Sequence, residues 1–193
     1  MPPIILIASA TATTAASAVE ALSAAGIAVR AFVRKADDPR ALHLARQPGV
    51  ELFAGDLGNP EHVAAALSGV SRAMLVSGAF SHDQFETETL FIEAAARAGL
   101  EITVRVSTAS GLILPGTKGA YGRAHHGIQS FVAAGGYMVV DLNPDGVRRP
   151  PPACPPSFLS FLLTNPVPPS PPPPPLSPPF FSFFPTGLAP LAK

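Results

Sequence analysis

The sequence predicts an α/β fold in which helices cover both faces of a doubly wound parallel sheet. Short apolar runs alternate with segments of helical spacing from residue 4 to residue 141, and this alternation is typical of parallel strands joined by crossover helices. Gly26, Gly69 and Gly99 each follow a helical segment, as glycines that end helices do. Because such crossovers are right-handed, the turns after the strands should share the carboxyl edge of the sheet, where ligands of these folds bind.

The strands and helices can be assigned in chain order. The predicted strands are the short apolar runs Ile4–Ile7, Ala28–Val33, Val50–Ala54, Ala73–Val76, Ile102–Val106 and Tyr137–Asp141. The predicted helices are an alanine-rich segment that ends at Gly26, then Pro39–Gln47, Glu61–Leu67, His82–Arg97 and a last helix that carries Tyr121. Continuous apolar runs suit strands that are buried on both faces, and the spacing within His82–Arg97 is that of an amphipathic helix.

Composition excludes several classes of partner. The 13 basic and 13 acidic side chains give zero formal net charge, which predicts neither nucleic acid nor an anionic membrane as a partner. The single cysteine, Cys154, excludes an internal disulfide and favours a reducing compartment. The first apolar run is too short to span a bilayer and follows no basic segment, so we expect no signal peptide. No spacing of cysteine and histidine indicates a metal site, so we expect no bound metal ion. The prediction is a soluble cytoplasmic protein.

The chain divides into a folded domain, residues 1–143, and a tail, residues 144–193. The tail holds 18 of the 24 prolines, interspersed with phenylalanines, and proline at this density opposes helices and central strands. We therefore predict a low-complexity tail without a fold. One hypothesis is that it arises from intronic or frame-shifted translation after about Asp145, which would make the product truncated. Another is that the P-x-x-P spacing in Pro171–Pro174 binds an SH3 or WW module.

The first turn resembles that of the NmrA-like family, which comprises atypical short-chain dehydrogenases with an NAD(P)-binding Rossmann domain. In that family the first strand runs into a G-x-x-G-x-x-G pattern. Its glycine positions are occupied here by Ser9, Ala12 and Ala15. The resemblance implies that residues 9–15 meet the pyrophosphate of the dinucleotide at a helix N-terminus. The hydroxyls that could add hydrogen-bond donors belong to Thr11, Thr13 and Thr14.

The end of the second strand bears on the choice of cofactor. In Rossmann domains an acidic residue at this position binds the ribose 2′-hydroxyl of NAD(H), whereas an arginine accommodates the 2′-phosphate of NADP(H). Arg34 and Lys35 stand there, and the first acidic residue is Asp37. The resemblance therefore implies NADP(H) in preference to NAD(H), with Arg34 on the phosphate.

Two later strand ends complete the implied cofactor site. The third strand is followed by Gly55, Asp56 and Leu57 and then by Asn-Pro, which is similar to the GDL motif of the family and implies that Asp56 lies near the adenine. A residue that stabilises the next turn is the alternative for Asp56. Ser77 and Gly78 follow the fourth strand, where the family loop lies against the ribose and nicotinamide.

The fifth strand and the helix after it resemble the catalytic half of short-chain dehydrogenases. There a serine binds the substrate oxygen, a tyrosine transfers the proton, and a lysine four residues later lowers the tyrosine pKa. Here Tyr121 is followed by His125 at the lysine position, and a spacing of four places both on one helix face. The family serine position aligns with Ala109, which leaves Ser107 or Ser110 as substitutes.

Two functions from different classes follow from this resemblance. The first is an NADP(H)-dependent oxidoreductase, or a degenerate relative of one, with an unknown small-molecule substrate and Ser107, Tyr121 and His125 in the catalytic roles. The second is a non-catalytic protein that senses a dinucleotide or binds a partner, which the altered glycines and His125 favour. An inactive truncated product is a further alternative.

Overall fold

The computed structural model describes residues 3–77, 83–143 and 146–148. Its strands are β1 Ile4–Ile7, β2 Ala28–Val33, β3 Val50–Ala54, β4 Val70–Leu75, β5 Ile102–Val106, β6 Val139–Asn143 and β7 Gly146–Arg148. Its helices are α1 Thr13–Ala24, α2 Pro39–Ala45, α3 Pro60–Leu67, α4 Gln84–Arg97 and α5 Ala120–Gly135, with a 3-10 turn at Ser110–Leu112. No helix in these described residues is long and apolar enough to cross a membrane.

The described strands form one sheet in the order β3-β2-β1-β4-β5-β6-β7. The first six strands of the chain pair in parallel, and β7 pairs antiparallel with β6. The strand order reverses between β1 and β4, which creates the crevice where ligands of doubly wound sheets bind. The predicted α/β fold, a doubly wound parallel sheet of the Rossmann type, is confirmed.

Helices cover both faces of the sheet, and successive side chains of β1 point to opposite faces. Ile5 and Ile7 pack in one cluster with Leu22 of α1 and with residues of α2. Leu6 packs in a second cluster with Phe91 of α4 and with residues of α3 and α5. Full burial of one such aliphatic side chain contributes about 1.5–3 kcal/mol, so these two clusters stabilise the packing of the helices on the two faces of the sheet.

Helices α2 and α3 each begin with a side-chain cap. Asp38 Oδ1 accepts a hydrogen bond from the Arg40 backbone N–H at 2.8 Å. Asn59 Oδ1 accepts from the N–H groups of Glu61, at 2.9 Å, and His62, at 3.2 Å. These caps satisfy backbone donors that the first turn of a helix leaves unpaired.

The structure differs from the predicted elements at three strands. Strand β4 begins at Val70, three residues before the predicted start, because Arg72 can remain in the strand while its guanidinium pairs with Glu101 at 2.8 Å. Strand β6 begins after Tyr137, whose ring stacks on Phe131 at 5.1 Å instead of entering the ladder. Strand β7 lies beyond the predicted boundary at residue 143.

Candidate functional site

A cleft of about 400 Å³ opens at the carboxyl edge of the sheet. It lies over the ends of β1, β2, β3 and β4, the four strands around the reversal of strand order. The predicted cofactor residues that line it are Ser9, Thr11, Arg34, Asp56, Leu57 and Ser77. Other residues that line it include Phe32, Gly55, Asp83 and Thr87. Of the remaining predicted residues, Gly78 lies outside the described part of the chain.

The turn after β1 keeps the backbone geometry of a glycine although it contains Ser9. Ser9 has a φ of 49° and is the only described residue other than glycine with a positive φ. Its neighbours are anchored, because Ala8 N–H donates to Met74 O at 2.9 Å and Ala10 N–H donates to Phe32 O at 3.0 Å. A non-glycine residue in this region is strained by about 1–2 kcal/mol. Ser9 therefore adopts, under strain, a backbone conformation that glycine adopts freely.

Helix α1 begins beside the cleft without a side-chain cap. Its N-cap residue is Ala12, which offers no side-chain acceptor, and the first turn contains no acidic residue. In contrast to α2 and α3, this helix start leaves its first backbone N–H groups to other acceptors, and its dipole favours an anion there. Ala15 is fully buried in the core under the helix, while Thr13 and Thr14 are exposed and lie outside the cleft lining.

Two exposed cations follow β2, and only one of them lines the cleft. Arg34 lines it, whereas Lys35 does not. The next arginine, Arg40, is engaged elsewhere, since its Nε and Nη2 lie 3.3 and 3.2 Å from the two oxygens of Asp38. The side-chain and backbone hydrogen bonds from Arg40 lower the pKa of Asp38. Of these three cations, Arg34 is the one placed to meet an anion in the cleft.

The Gly55-Asp56-Leu57 turn forms the wall of the cleft after β3. A Cβ at position 55 would lie 2.5 Å from the Phe32 ring, so only glycine allows this close approach. Asp56 Oδ1 accepts a hydrogen bond from the Gly58 N–H at 2.9 Å, and Asp56 N–H donates to Nδ1 of His62 at 3.2 Å. Asp56 thus stabilises its own turn and also lines the cleft, so the two alternatives for this residue are compatible.

A buried cluster of charged and polar side chains joins α4, α5, β5 and β6 next to the cleft. At its centre is Arg105 of β5, whose side chain is fully buried. Its guanidinium makes five contacts: Nε and Nη2 with Asp141 at 2.7 and 2.9 Å, Nη1 with Glu88 and with His125 Nδ1 at 3.1 Å each, and Nη2 with Ser107 at 3.1 Å. A guanidinium has five N–H donors, and here each one has an acceptor within reach.

Glu88 of α4 connects this cluster with the cleft. Its side chain is fully buried, and its Oε1 accepts hydrogen bonds from Ser77 Oγ at 2.6 Å and from Gln84 Nε2 at 2.8 Å. The same Gln84 nitrogen lies 3.1 Å from His125 Nε2. Ser77 therefore belongs both to the cleft and to the buried cluster, a link that the sequence pattern does not indicate.

His125 is turned into this cluster and has an exposed fraction of only 1%. Burial lowers its pKa, and the neighbouring Arg105 charge lowers it further, although Glu88 and Asp141 oppose this effect. The Tyr121 ring meets it edge-on with the ring centroids 4.5 Å apart. The imidazole is thus held neutral at physiological pH.

The three predicted catalytic residues lie together but outside the described lining of the cleft. Ser107 Oγ is 3.3 Å from His125 Nδ1, and Tyr121 is half-buried on the same helix as His125. Their link to the cleft runs through Ser77 and Glu88. Assignment of catalytic roles to them stays a prediction.

We expect the free energy of unfolding to decrease as the pH falls below about 6.5, the ordinary pKa of histidine. In that range His125 gains a proton in the unfolded chain but not in the folded one, so acid favours unfolding; above it the contribution is constant. Urea denaturation at pH 5 to 7.5 measures the slope. His125→Gln should flatten it, whereas His126→Gln, which changes the less buried neighbour, should not. Equal slopes for all three proteins would contradict this prediction.

The fold and the cleft define a domain of the Rossmann class. The family model described as NmrA-like family matches residues 2–105, and the chain belongs to this family. No curated protein matches the chain.

Solved structures share this fold. The structure of NmrA, a negative transcriptional regulator, is 23% identical with a TM-score of 0.66 and covers 74% of this chain and 45% of its own. NmrA in complex with NADP is 23% identical with a TM-score of 0.63, covering 74% and 44%. An NADPH-dependent quinone oxidoreductase from Escherichia coli, in complex with NADPH, is 23% identical with a TM-score of 0.58, covering 72% and 47%. The chain spans less than half the length of these proteins.

Proposed function

We propose that this chain binds NADP(H) in the cleft at the carboxyl edge of the sheet. The observation that carries the proposal is the position of Arg34 in the same cleft as Ser9 and Thr11, next to the uncapped N-terminus of α1. A helix N-terminus stabilises a pyrophosphate, and an arginine fork suits a 2′-phosphate.

The order of the strands supports one orientation of the dinucleotide. Because β1 lies between β2 and β4, the pyrophosphate at α1 would have the adenosine half on the side of Arg34 and Asp56. The nicotinamide half would then lie on the side of Ser77. NmrA binds NADP and the quinone oxidoreductase binds NADPH in their solved complexes, which agrees with this class of ligand.

A sensing role without catalysis is the function that the buried cluster favours. The residue at the lysine position of the tyrosine motif must be charged and free to reach the tyrosine and the ribose. His125, which occupies this position, is instead buried and in contact with Arg105. NmrA, whose structure shares this fold, is a negative transcriptional regulator, which supports a regulatory role as the proposal. An oxidoreductase is the second candidate, because Ser107, Tyr121 and His125 are grouped together.

Isothermal titration of the purified full chain with NADPH and NADH, side by side, tests the proposal. We expect micromolar binding of NADPH and binding of NADH at least about tenfold weaker, because a charge-assisted hydrogen bond to the 2′-phosphate contributes roughly 1.5–3 kcal/mol. No heat with either nucleotide, from protein with a folded circular dichroism spectrum, would refute binding. Oxidation of NADPH on addition of quinones would favour the oxidoreductase over the sensor.

A further inference from the structure

Ser77 is the one described residue that both lines the cleft and hydrogen-bonds into the buried cluster. Its Oγ lies 2.6 Å from Glu88 Oε1, which is the short distance of a hydroxyl that donates to a charged oxygen. A serine hydroxyl has a single proton and two lone pairs. That proton is donated to Glu88, and one lone pair accepts from Gln84 Nε2 at 3.2 Å, so one lone pair remains for a ligand.

The contacts of Glu88 prevent its carboxylate from rotating away and breaking the hydrogen bond that it accepts from Ser77. Its side chain is fully buried, and Oε2 accepts from Arg105 Nη1 at 3.1 Å. Oε1 also accepts from Gln84 Nε2 at 2.8 Å. Rotation of the carboxylate would break these contacts and leave a buried charge without its partners, which is costly.

We propose that Glu88 is a positioning residue that fixes Ser77 as a hydrogen-bond acceptor at one end of the cleft. This inference rests on the proposed binding of NADP(H), whose nicotinamide half would lie on the β4 side. That half carries hydrogen-bond donors, namely the ribose hydroxyls and the carboxamide N–H groups. Ser77 therefore selects a ligand with a donor at this end and disfavours an anionic group, which would need a donor from the protein.

The test compares two ligands and a cycle of three variants. NADPH carries both halves, whereas adenosine 2′,5′-bisphosphate carries only the adenosine half and the 2′-phosphate. Ser77→Ala should weaken NADPH binding about 3- to 10-fold and leave the bisphosphate unchanged. Glu88→Gln should weaken NADPH similarly, because an amide can donate to Ser77 and reverse its polarity. The double variant should be no weaker than Ser77→Ala alone, since the two residues act through one hydrogen bond.

Conservative variants separate positioning from a structural role. Ser77→Thr keeps the hydroxyl and should restore NADPH affinity, and Ser130→Ala, which removes a hydroxyl bonded to the backbone of α5, should change neither ligand. Glu88→Asp keeps the charge near Arg105 but withdraws from Ser77. It should reproduce the loss for NADPH if Glu88→Gln does not fold.

The failures of the two proposals are distinguishable. If the unaltered chain binds neither ligand, the proposed function fails and this inference fails with it. If both ligands bind and the losses from Ser77→Ala and Glu88→Gln add in the double variant, or affect both ligands equally, binding stands and the role of Glu88 is refuted.

Discussion

Replacing Arg105 by methionine should lower the free energy of unfolding by about 3–5 kcal/mol. The guanidinium contacts both Glu88 and Asp141, and methionine would leave two carboxylates in the cluster without their cation. Although burial lowers the pKa of Arg105, its hydrogen bonds with Asp141 and Glu88 outweigh this and raise it. Arg105 is therefore charged in the folded protein, and its loss removes the positive charge that pairs with Glu88 and Asp141.

Urea denaturation followed by circular dichroism measures this effect at pH 7.5. Arg97→Met is the matched control, because Arg97 is an exposed arginine whose contact with Glu93 is 3.8 Å long, and exposed pairs contribute little. The double variant Arg105→Met with Asp141→Leu should recover part of the loss, since it removes one of the stranded charges. A loss for Arg105→Met no larger than that for Arg97→Met would contradict the assigned role.

The parallel sheet was predictable because each central strand is an apolar run bounded by turn residues. Ile4–Ile7 sends alternate side chains into two cores, and such a run suits a strand buried on both faces. The predicted strand boundaries differ from the observed ones because of tertiary contacts that the sequence pattern does not indicate. Arg72 is drawn into β4 by Glu101, which follows the next helix, and nothing near residue 72 in the sequence indicates this partner.

The sequence pattern does not indicate the buried cluster, and the reason is physical. Glu88 lies within the segment His82–Arg97, which has the spacing of an amphipathic helix, yet its side chain is fully buried. Helical spacing cannot tell a solvated glutamate from one that faces a cation on a distant strand. The available signal was Arg105 itself, a charge in the middle of the apolar strand Ile102–Val106. A buried cation needs buried anions, so this arginine could have prompted a search for them.

The cofactor side of the cleft was easier to anticipate than the catalytic side. Residues such as Ser9, Arg34 and Asp56 follow strand ends, and parallel strands bring their carboxyl ends to one edge. The orientation of His125 depends on α5, whose rotation about its axis is determined by contacts with α4 and with the loop before it. One such contact is Gly122, where a Cβ would lie 2.3 Å from Leu112 O. Spacing along the chain predicts the shared face of a helix but not the direction in which that face points.

Arg34→Met should weaken NADPH binding about 10- to 100-fold while changing NADH binding less than about twofold, because hydrogen bonds to a charged phosphate contribute roughly 1.5–3 kcal/mol. Arg34 lines the cleft, and methionine keeps most of its apolar stem while removing the cation. Arg40→Met is the control: Arg40 is also exposed and nearby in sequence, but its guanidinium is bound to Asp38. Titration with both nucleotides separates the outcomes. Equal losses for NADPH and NADH would show that Arg34 acts on a part common to both, and no loss would leave Lys35, outside the cleft lining, as the cation to test.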